Sequence, residues 1–247
     1  MLSARELERY KRQILLFGEE GQERLKSAEL FIAGAGGLGC PVALYLAAAG
    51  VGTITIVDND LVEQTNLNRQ ILHYDRDTGR KKTASAGEKL RGINPDITVN
   101  AVDATIEEKN VVRLVGRADG IVDALDNFPA RYLLNKTAIR NRIPLFHGAI
   151  RGMYGQATTV IPGQTPCLAC IFPNAPPEDE FPVIGATAGF IGMVQATEAI
   201  KYLIQDGRLL TNRLLVWDGR ESRAEEIAIE RDPACPCCGK KNGRRNP

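Results

Sequence analysis

Two cysteine pairs stand in the C-terminal third of the chain, Cys167-Leu168-Ala169-Cys170 and Cys235-Pro236-Cys237-Cys238. Each can offer two thiolates from one tight turn, and four thiolates from two such hooks match a tetrahedral Zn²⁺ site. Far upstream, Gly34, Gly36 and Gly39 satisfy G-x-G-x-x-G, with Gly37 as a further small residue inside the loop. Placed between a strand and a helix, this spacing lets the backbone approach a phosphate at the helix N-terminus. Asp58 closes the following strand, where a carboxylate can accept ribose hydroxyls. The first two thirds therefore read as a nucleotide site and the last third as a metal clasp.

The residues after Asp58 choose between nucleotides. Asn66, Arg69 and Gln70 follow closely, and Lys81 and Lys82 open the next helix. A nicotinamide wants an apolar floor and one acid or base, whereas guanidinium and ammonium groups suit a triphosphate. Asp123, Asp126 and Asn127 fall just past the fourth strand, at the edge where open α/β sheets bind ligands. A carboxylate there assists a triphosphate only across a Mg²⁺ ion, so one of these aspartates is expected to ligate it. The alternative is that Asp126 or Asn127 caps the helix beginning near Phe128. Arg131, one turn on, can reach back to the same pocket.

The elements that must position these groups follow from periodicity. Residues 3–25 read as one or two helices outside the sheet, and 30–33 as a strand leading into the glycine loop. A helix over 39–49 and a strand over 53–57 complete one βαβ unit. Helices near 82–91, 106–114 and 127–140 alternate with strands over 98–102, 120–123 and 144–146, which gives a parallel sheet with helices on both faces. After Gly148 the texture changes: a strand over 154–161, a proline- and acid-rich crossing loop over 173–182, a helix over 189–204, and antiparallel strands over 213–217 and 224–229. The expected fold class is α/β, a Rossmann-like, mostly parallel sheet continued by an antiparallel part, with a four-cysteine zinc site. One domain spans 1–247: N-terminal helices over 1–25, a nucleotide-binding half over 26–148, a carrier-binding and zinc-containing half over 149–239, and a basic tail over 240–247.

Composition narrows the partners. The 31 basic and 30 acidic residues of the 247 leave a net charge of +1, so no global field draws nucleic acid or anionic lipid. The opening residues are densely charged and do not read as a leader. The uncharged run from Phe31 to Val57 is interrupted by glycines and reads as sheet interior, not as a membrane span. Six cysteines, four of them in hooks, fit a reducing cytoplasm. Cys40 reads as a small buried side chain and Cys237 as a bystander.

Taken jointly, Arg9-Tyr10-Lys11-Arg12-Gln13, the glycine loop, Thr65-Asn66-Leu67-Asn68-Arg69-Gln70, Asp126-Asn127 and the double hook resemble the ThiF/MoeB/HesA enzymes, bacterial relatives of ubiquitin-activating enzymes. The resemblance runs from about residue 7 to 239. It implies an enzyme that binds ATP·Mg²⁺ and adenylates the C-terminal Gly-Gly carboxylate of a ubiquitin-like sulfur-carrier protein, releasing pyrophosphate. It further implies that Gly36 and its loop approach the nucleotide, Asp58 holds the ribose, and Asn66, Arg69 and Lys82 contact phosphates. Asp126 would hold Mg²⁺, Arg12 would act in trans across a homodimer, and Cys167, Cys170, Cys235 and Cys238 would ligate structural zinc, with Cys237 outside. The alternatives are activation of another carboxylate, on a peptide or a modified tRNA, and an NAD-dependent oxidoreductase that leaves Arg12, Arg69 and Lys82 without a task. Two departures stand out: residues 173–188 hold no cysteine, and Lys81 falls where relatives often have proline. The first predicts adenylation with no covalent carrier intermediate on that loop, sulfur coming from a separate protein.

Overall fold

The computed structural model describes residues 1–174 and 181–239. Its centre is one eight-stranded sheet in the order β3-β2-β1-β4-β5-β6-β7-β8. The strands are β1 (Glu29–Ala33), β2 (Thr53–Asp58), β3 (Thr98–Asp103), β4 (Gly120–Asp123), β5 (Leu145–Arg151), β6 (Tyr154–Val160), β7 (Arg213–Asp218) and β8 (Arg223–Ala228). The first five are parallel, and pairing turns antiparallel at β5 and β6, where Leu145 faces Val160 and Arg151 faces Tyr154. The mixed α/β sheet expected from the sequence is the one observed.

The helices are α1 (Ala4–Arg9), α2 (Lys11–Ser27), α3 (Gly39–Ala49), α4 (Lys82–Ile93), α5 (Val111–Val115), α6 (Phe128–Asn141), α7 (Leu168–Ile171) and α8 (Gly185–Ile204). Alternating side chains of the buried strands serve two cores, because successive strand residues point to opposite faces. Leu30, Ile32, Ile54 and Ile56 pack with α3, α4 and α8 on one face. Phe31, Ala33, Val57 and Ile121 pack with α5, α6 and both cysteine hooks on the other. The uncharged run from Phe31 to Val57 is thus β1, α3 and β2, and none of the described helices is long and apolar enough to cross a membrane.

Three boundaries differ from the sequence reading by four residues or more. The helix expected over 106–114 is only the short α5, because the Asn110 side chain bonds Glu107 N and Thr105 O and ties the preceding residues into a turn. β5 continues past Gly148 to Arg151, since β6 returns antiparallel along it, and so runs through the division drawn at 148. α8 begins at Gly185, four residues before the expected start. There, an added Cβ on Gly185 would stand 2.5 Å from the Asn68 carbonyl oxygen. Small size at 185 lets the start of α8 sit against the segment that carries Arg69.

The chain progresses outward through β1, β2 and β3, then returns to place β4 on the other side of β1. Ligands of open α/β sheets bind at such a reversal, outside the carboxyl ends of the strands. The glycine loop follows β1 and Asp126 follows β4, so both lie at this switch point.

Candidate nucleotide and metal sites

The loop after β1 is shaped by close approach. Gly34 has φ +99°, and a Cβ there would meet the Ala124 carbonyl oxygen at 2.7 Å; one on Gly39 would fall 1.9 Å from the Gly34 carbonyl oxygen. These two glycines let the turn close and α3 start against it. Gly36 differs, because a Cβ there would meet nothing nearer than Gln70 Nε2 at 3.7 Å. Its bare face is the one a phosphate can reach. Asp58 stands beside the loop, its Oδ2 accepting from Ala35 N and its Oδ1 from Asp60 N, both at 2.8 Å. Each oxygen keeps a lone pair for a ribose hydroxyl.

A cleft of about 350 Å³ opens next to it, lined by Asn59, Asp60, Leu61, Glu63, Asn66 and Lys82. Lys82 is 6% exposed and its ammonium bonds Asp60 Oδ2 at 2.7 Å. A buried ammonium so placed offers a phosphate a desolvated partner, with Asp60 as the group to be exchanged. Arg69 is half-buried and directs one nitrogen to the Thr65 carbonyl and the Asn68 side chain, while its stem lies against Gly37. Gln70 is buried under the loop with its Oε1 unpaired among the described residues.

The residues after β4 divide between framework and opening. Asp123 is fully buried, bonded to His147 Nδ1 at 2.7 Å and 3.7 Å from Arg131 Nε. It is spent on framework and is not free for a metal. Burial holds His147 below the usual imidazole range, against the opposing pull of Asp123. Arg131 bonds the Leu125 and Gly148 carbonyls, so it braces the turn and does not enter the cleft. Asn127 Oδ1 accepts from Ala130 N at 3.0 Å and caps α6, which is the capping role the sequence left open. Asp126 is exposed, with only Asn127 Nδ2 near it at 3.4 Å among the described residues. Arg12 is exposed on α2, is not among the residues lining the cleft, and has no hydrogen-bond or ion-pair partner among the described residues.

Asn127→Ala is expected to lower stability by about 1 kcal/mol through loss of the cap. Thermal melting reads that cost. An accompanying fall in ATP affinity would add a binding role to the capping one, and unchanged affinity would restrict Asn127 to the cap.

The four sulfurs of Cys167, Cys170, Cys235 and Cys238 all lie within 4.8 Å of one another. Cys167 and Cys235 are 3.7 Å apart and Cys170 and Cys238 are 3.3 Å apart. A tetrahedral Zn²⁺ with ordinary Zn–S bonds needs roughly 3.8 Å between sulfurs, so the set fits. Burial pushes the Cys170 thiol up to about 12, and a divalent cation held by the four would supply the charge that lets them ionise. Asn135 of α6 joins the hooks: its Oδ1 accepts from Leu168 N at 3.0 Å and its Nδ2 reaches Cys237 Sγ at 3.2 Å. Cys40 is the small buried side chain expected, its thiol pushed up to about 12 by burial. Asp60 and Asn135 escaped the sequence reading, since neither sits in a recognisable spacing. The basic tail over 240–247 and the acids Glu178, Asp179 and Glu180 lie outside the described residues.

Comparison with known proteins gives this geometry a setting. The model of the ThiF family matches residues 10–237. A SAMP-activating enzyme E1 of Haloferax volcanii is 46% identical over 246 residues, which cover 96% of this chain and 91% of that protein. A sulfur carrier protein adenylyltransferase of Thermus thermophilus is 40% identical over 253 residues, covering 97% and 93%. The crystal structure of E. coli MccB with ATP superposes with a TM-score of 0.85 at 25% identity, covering 93% of this chain and 74% of that one.

Proposed function

Because the chain belongs to the ThiF family, we propose that it is an ATP-dependent adenylyltransferase that activates the C-terminal carboxylate of a ubiquitin-like sulfur-carrier protein. The observation that carries this reading is the convergence of an open Gly36, the Asp58 carboxylate and the buried Lys82 ammonium on one edge of the sheet. The relatives named above support the carrier as substrate: two of them are named for activating SAMP and for adenylating a sulfur carrier. An NAD-dependent oxidoreductase has no support from these relatives and leaves the cationic groups idle.

In the proposed reaction a carboxylate oxygen of the carrier attacks the α-phosphorus of ATP, the bond to the β-phosphate oxygen breaks, and pyrophosphate leaves. The attacking carboxylate is ionised at neutral pH, so no general base is required. The obstacle is repulsion between the carboxylate and a tetra-anion, and the protein answers it by neutralising phosphate oxygens and fixing alignment. Lys82, Arg69 and Asn66 are assigned to phosphates, Asp58 to the ribose and Gln70 to support of the loop. Arg12 is assigned to the partner subunit's site in a homodimer. Asp126 is the carboxylate that would hold Mg²⁺, whose charge would neutralise phosphate oxygens. Asp126 fits this task because its carboxylate is exposed and nearly unpartnered among the described residues, whereas Asp123 is fully engaged.

The carrier's globular body has room on the antiparallel half, where α8 and β7 with β8 frame a groove of about 520 Å³ whose walls include Phe190, Met193, Leu215, Arg213 and Glu226. The absence of cysteine from 173–188 favours release of the acyl-adenylate to a separate sulfur donor. A peptide substrate is the second reading, favoured by the likeness to MccB, which has been crystallised with ATP and with MccA.

Exchange of radioactive pyrophosphate into ATP tests the reaction. Exchange is expected only when a carrier ending in Gly-Gly is added, and is expected to vanish when the terminal glycine is removed. Exchange driven by a short peptide instead would establish the second reading. No exchange with any carrier or peptide would leave a nucleotide-binding module without this chemistry.

A further inference from the structure

Beneath the glycine loop lies a buried hydrogen-bonded chain that the phosphate chemistry does not use. Asp77, fully buried, holds Arg80 at 2.6 Å and also Lys89. Lys89 Nζ donates to Ser85 Oγ at 2.8 Å, and Ser85 Oγ lies 2.9 Å from His73 Nδ1. His73, 4% exposed, places Nε2 2.9 Å from the Ala35 carbonyl oxygen. On the opposite edge of the same residue, Ala35 N donates to Asp58 Oδ2 at 2.8 Å.

The protons of this chain have one consistent arrangement. A carbonyl only accepts, so His73 Nε2 carries a hydrogen. An ammonium only donates, so Ser85 Oγ accepts from Lys89 and turns its own hydrogen to His73 Nδ1. Neutral His73, as the Nε2–H tautomer, therefore satisfies every member. Ala35 is gripped at both its N–H and its C=O, on one side by the carboxylate assigned to the ribose and on the other by His73, which Ser85 of α4 holds in turn. Ser85 and Lys89 lie three and seven residues beyond Lys82, on the same face of α4.

We propose that His73 is a positioning residue for the nucleotide: by holding the Ala35 carbonyl it fixes the glycine loop against Asp58 and ties both to the helix that carries Lys82. This inference rests on the nucleotide reading given above. It does not depend on which carrier is used. Without the imidazole, the Ala35 carbonyl keeps only the weak thiol donor of Cys40 at 3.2 Å. The loop is then free to leave the register that aligns Gly36 and Asp58. The loss falls on ATP affinity, because Lys82 and Arg69 keep their own places.

Titration calorimetry of ATP with Mg²⁺ on the full-length protein tests this, and needs no carrier. His73→Phe keeps the ring and removes the donor, and is expected to weaken ATP binding roughly tenfold. His73→Gln, whose amide N–H can reach the same carbonyl, is expected to recover most of that loss. Ser85→Ala releases the tautomer and is expected to fall between them. In pyrophosphate exchange the KM for ATP should rise in the same order, with kcat within about twofold and the KM for the carrier unmoved. A purely structural role would lower melting temperatures without that ranking. Wild-type affinity in His73→Phe, or equal loss in the Phe and Gln variants, overturns the proposal. If His73→Phe does not fold, Ser85→Ala against wild type decides: weaker ATP binding supports the role and equal binding overturns it. A wild-type protein that binds no ATP would sink both this inference and the function it rests on, whereas a failure confined to the variants sinks this one alone.

Discussion

Cys235→Ser is expected to release the metal and to lower the melting temperature by on the order of 10 °C. The four sulfurs close a ring between two distant parts of the chain, the turn that begins α7 and the segment after β8. Around it, Cys167, Cys235 and Cys238 belong to the same core as Leu134 and Ala138 of α6 and Leu145 of β5. Removing one ligand would strip a Zn²⁺ ion held there of its tetrahedron and leave the remaining thiols to bury themselves protonated. Its binding free energy would then no longer favour the folded state. Asn135 cannot replace it, since its two bonds to the hooks are worth about 1 kcal/mol each. Elemental analysis should find one zinc per chain in the parent protein and a substoichiometric amount in the variant. Cys237→Ser is the control, because Cys237 is not one of the four converging sulfurs, and it should keep full zinc and lose little stability. A Cys235→Ser protein that retains zinc and its melting temperature would remove the metal from the structural account, and a Cys237→Ser protein that loses zinc would overturn the assignment of its ligands.

The groups legible in the sequence are those whose chemistry is set by short spacing. The two hooks, the three glycines of the loop and the carboxylate ending the second strand lie within single turns of chain, so local geometry alone places them. The fold class is legible for the same reason, through alternation of strand and helix periods, and the antiparallel ending through its change of texture. What is not legible depends on side chains meeting across elements. Asp60 becomes the partner of Lys82 only once α4 returns to the end of β2. His73 reads as an isolated histidine until Ser85 and Ala35 are brought to its two nitrogens. Asp123 and Asp126 look alike as a pair of acids, and only the burial of His147 against the first separates framework from opening. The start of α8 is hidden because glycine is a poor helix former, whereas at Gly185 its small size is needed where the helix meets the Asn68 carbonyl.

Lys82→Ala and Arg12→Ala are each expected to cut adenylation by roughly 10²- to 10³-fold, the usual cost of removing one preorganised charge from a transition state that concentrates negative charge. The two losses should differ in kind if the site is shared. Lys82 is buried at the cleft of its own subunit, whereas Arg12 stands exposed on α2, clear of that cleft and without a partner among the described residues. Close to it, Leu15 and Leu16 are 76% and 81% exposed. Two neighbouring leucines so uncovered beside an idle guanidinium suit a surface buried against a second copy of the chain. In a dimer of that kind, one site uses Lys82 from its own subunit and Arg12 from the partner. Mixing the two inactive variants by unfolding and refolding then creates mixed dimers in which one site has both residues and the other has neither. With random pairing, about one quarter of the parent activity should return. Leu16→Asp should abolish that recovery by preventing assembly, and sedimentation should report a single copy. Recovery in the mixture is possible only if Arg12 crosses between subunits. A mixture as inactive as its components, formed from proteins shown to be dimeric, would return Arg12 to its own subunit and end the shared-site mechanism.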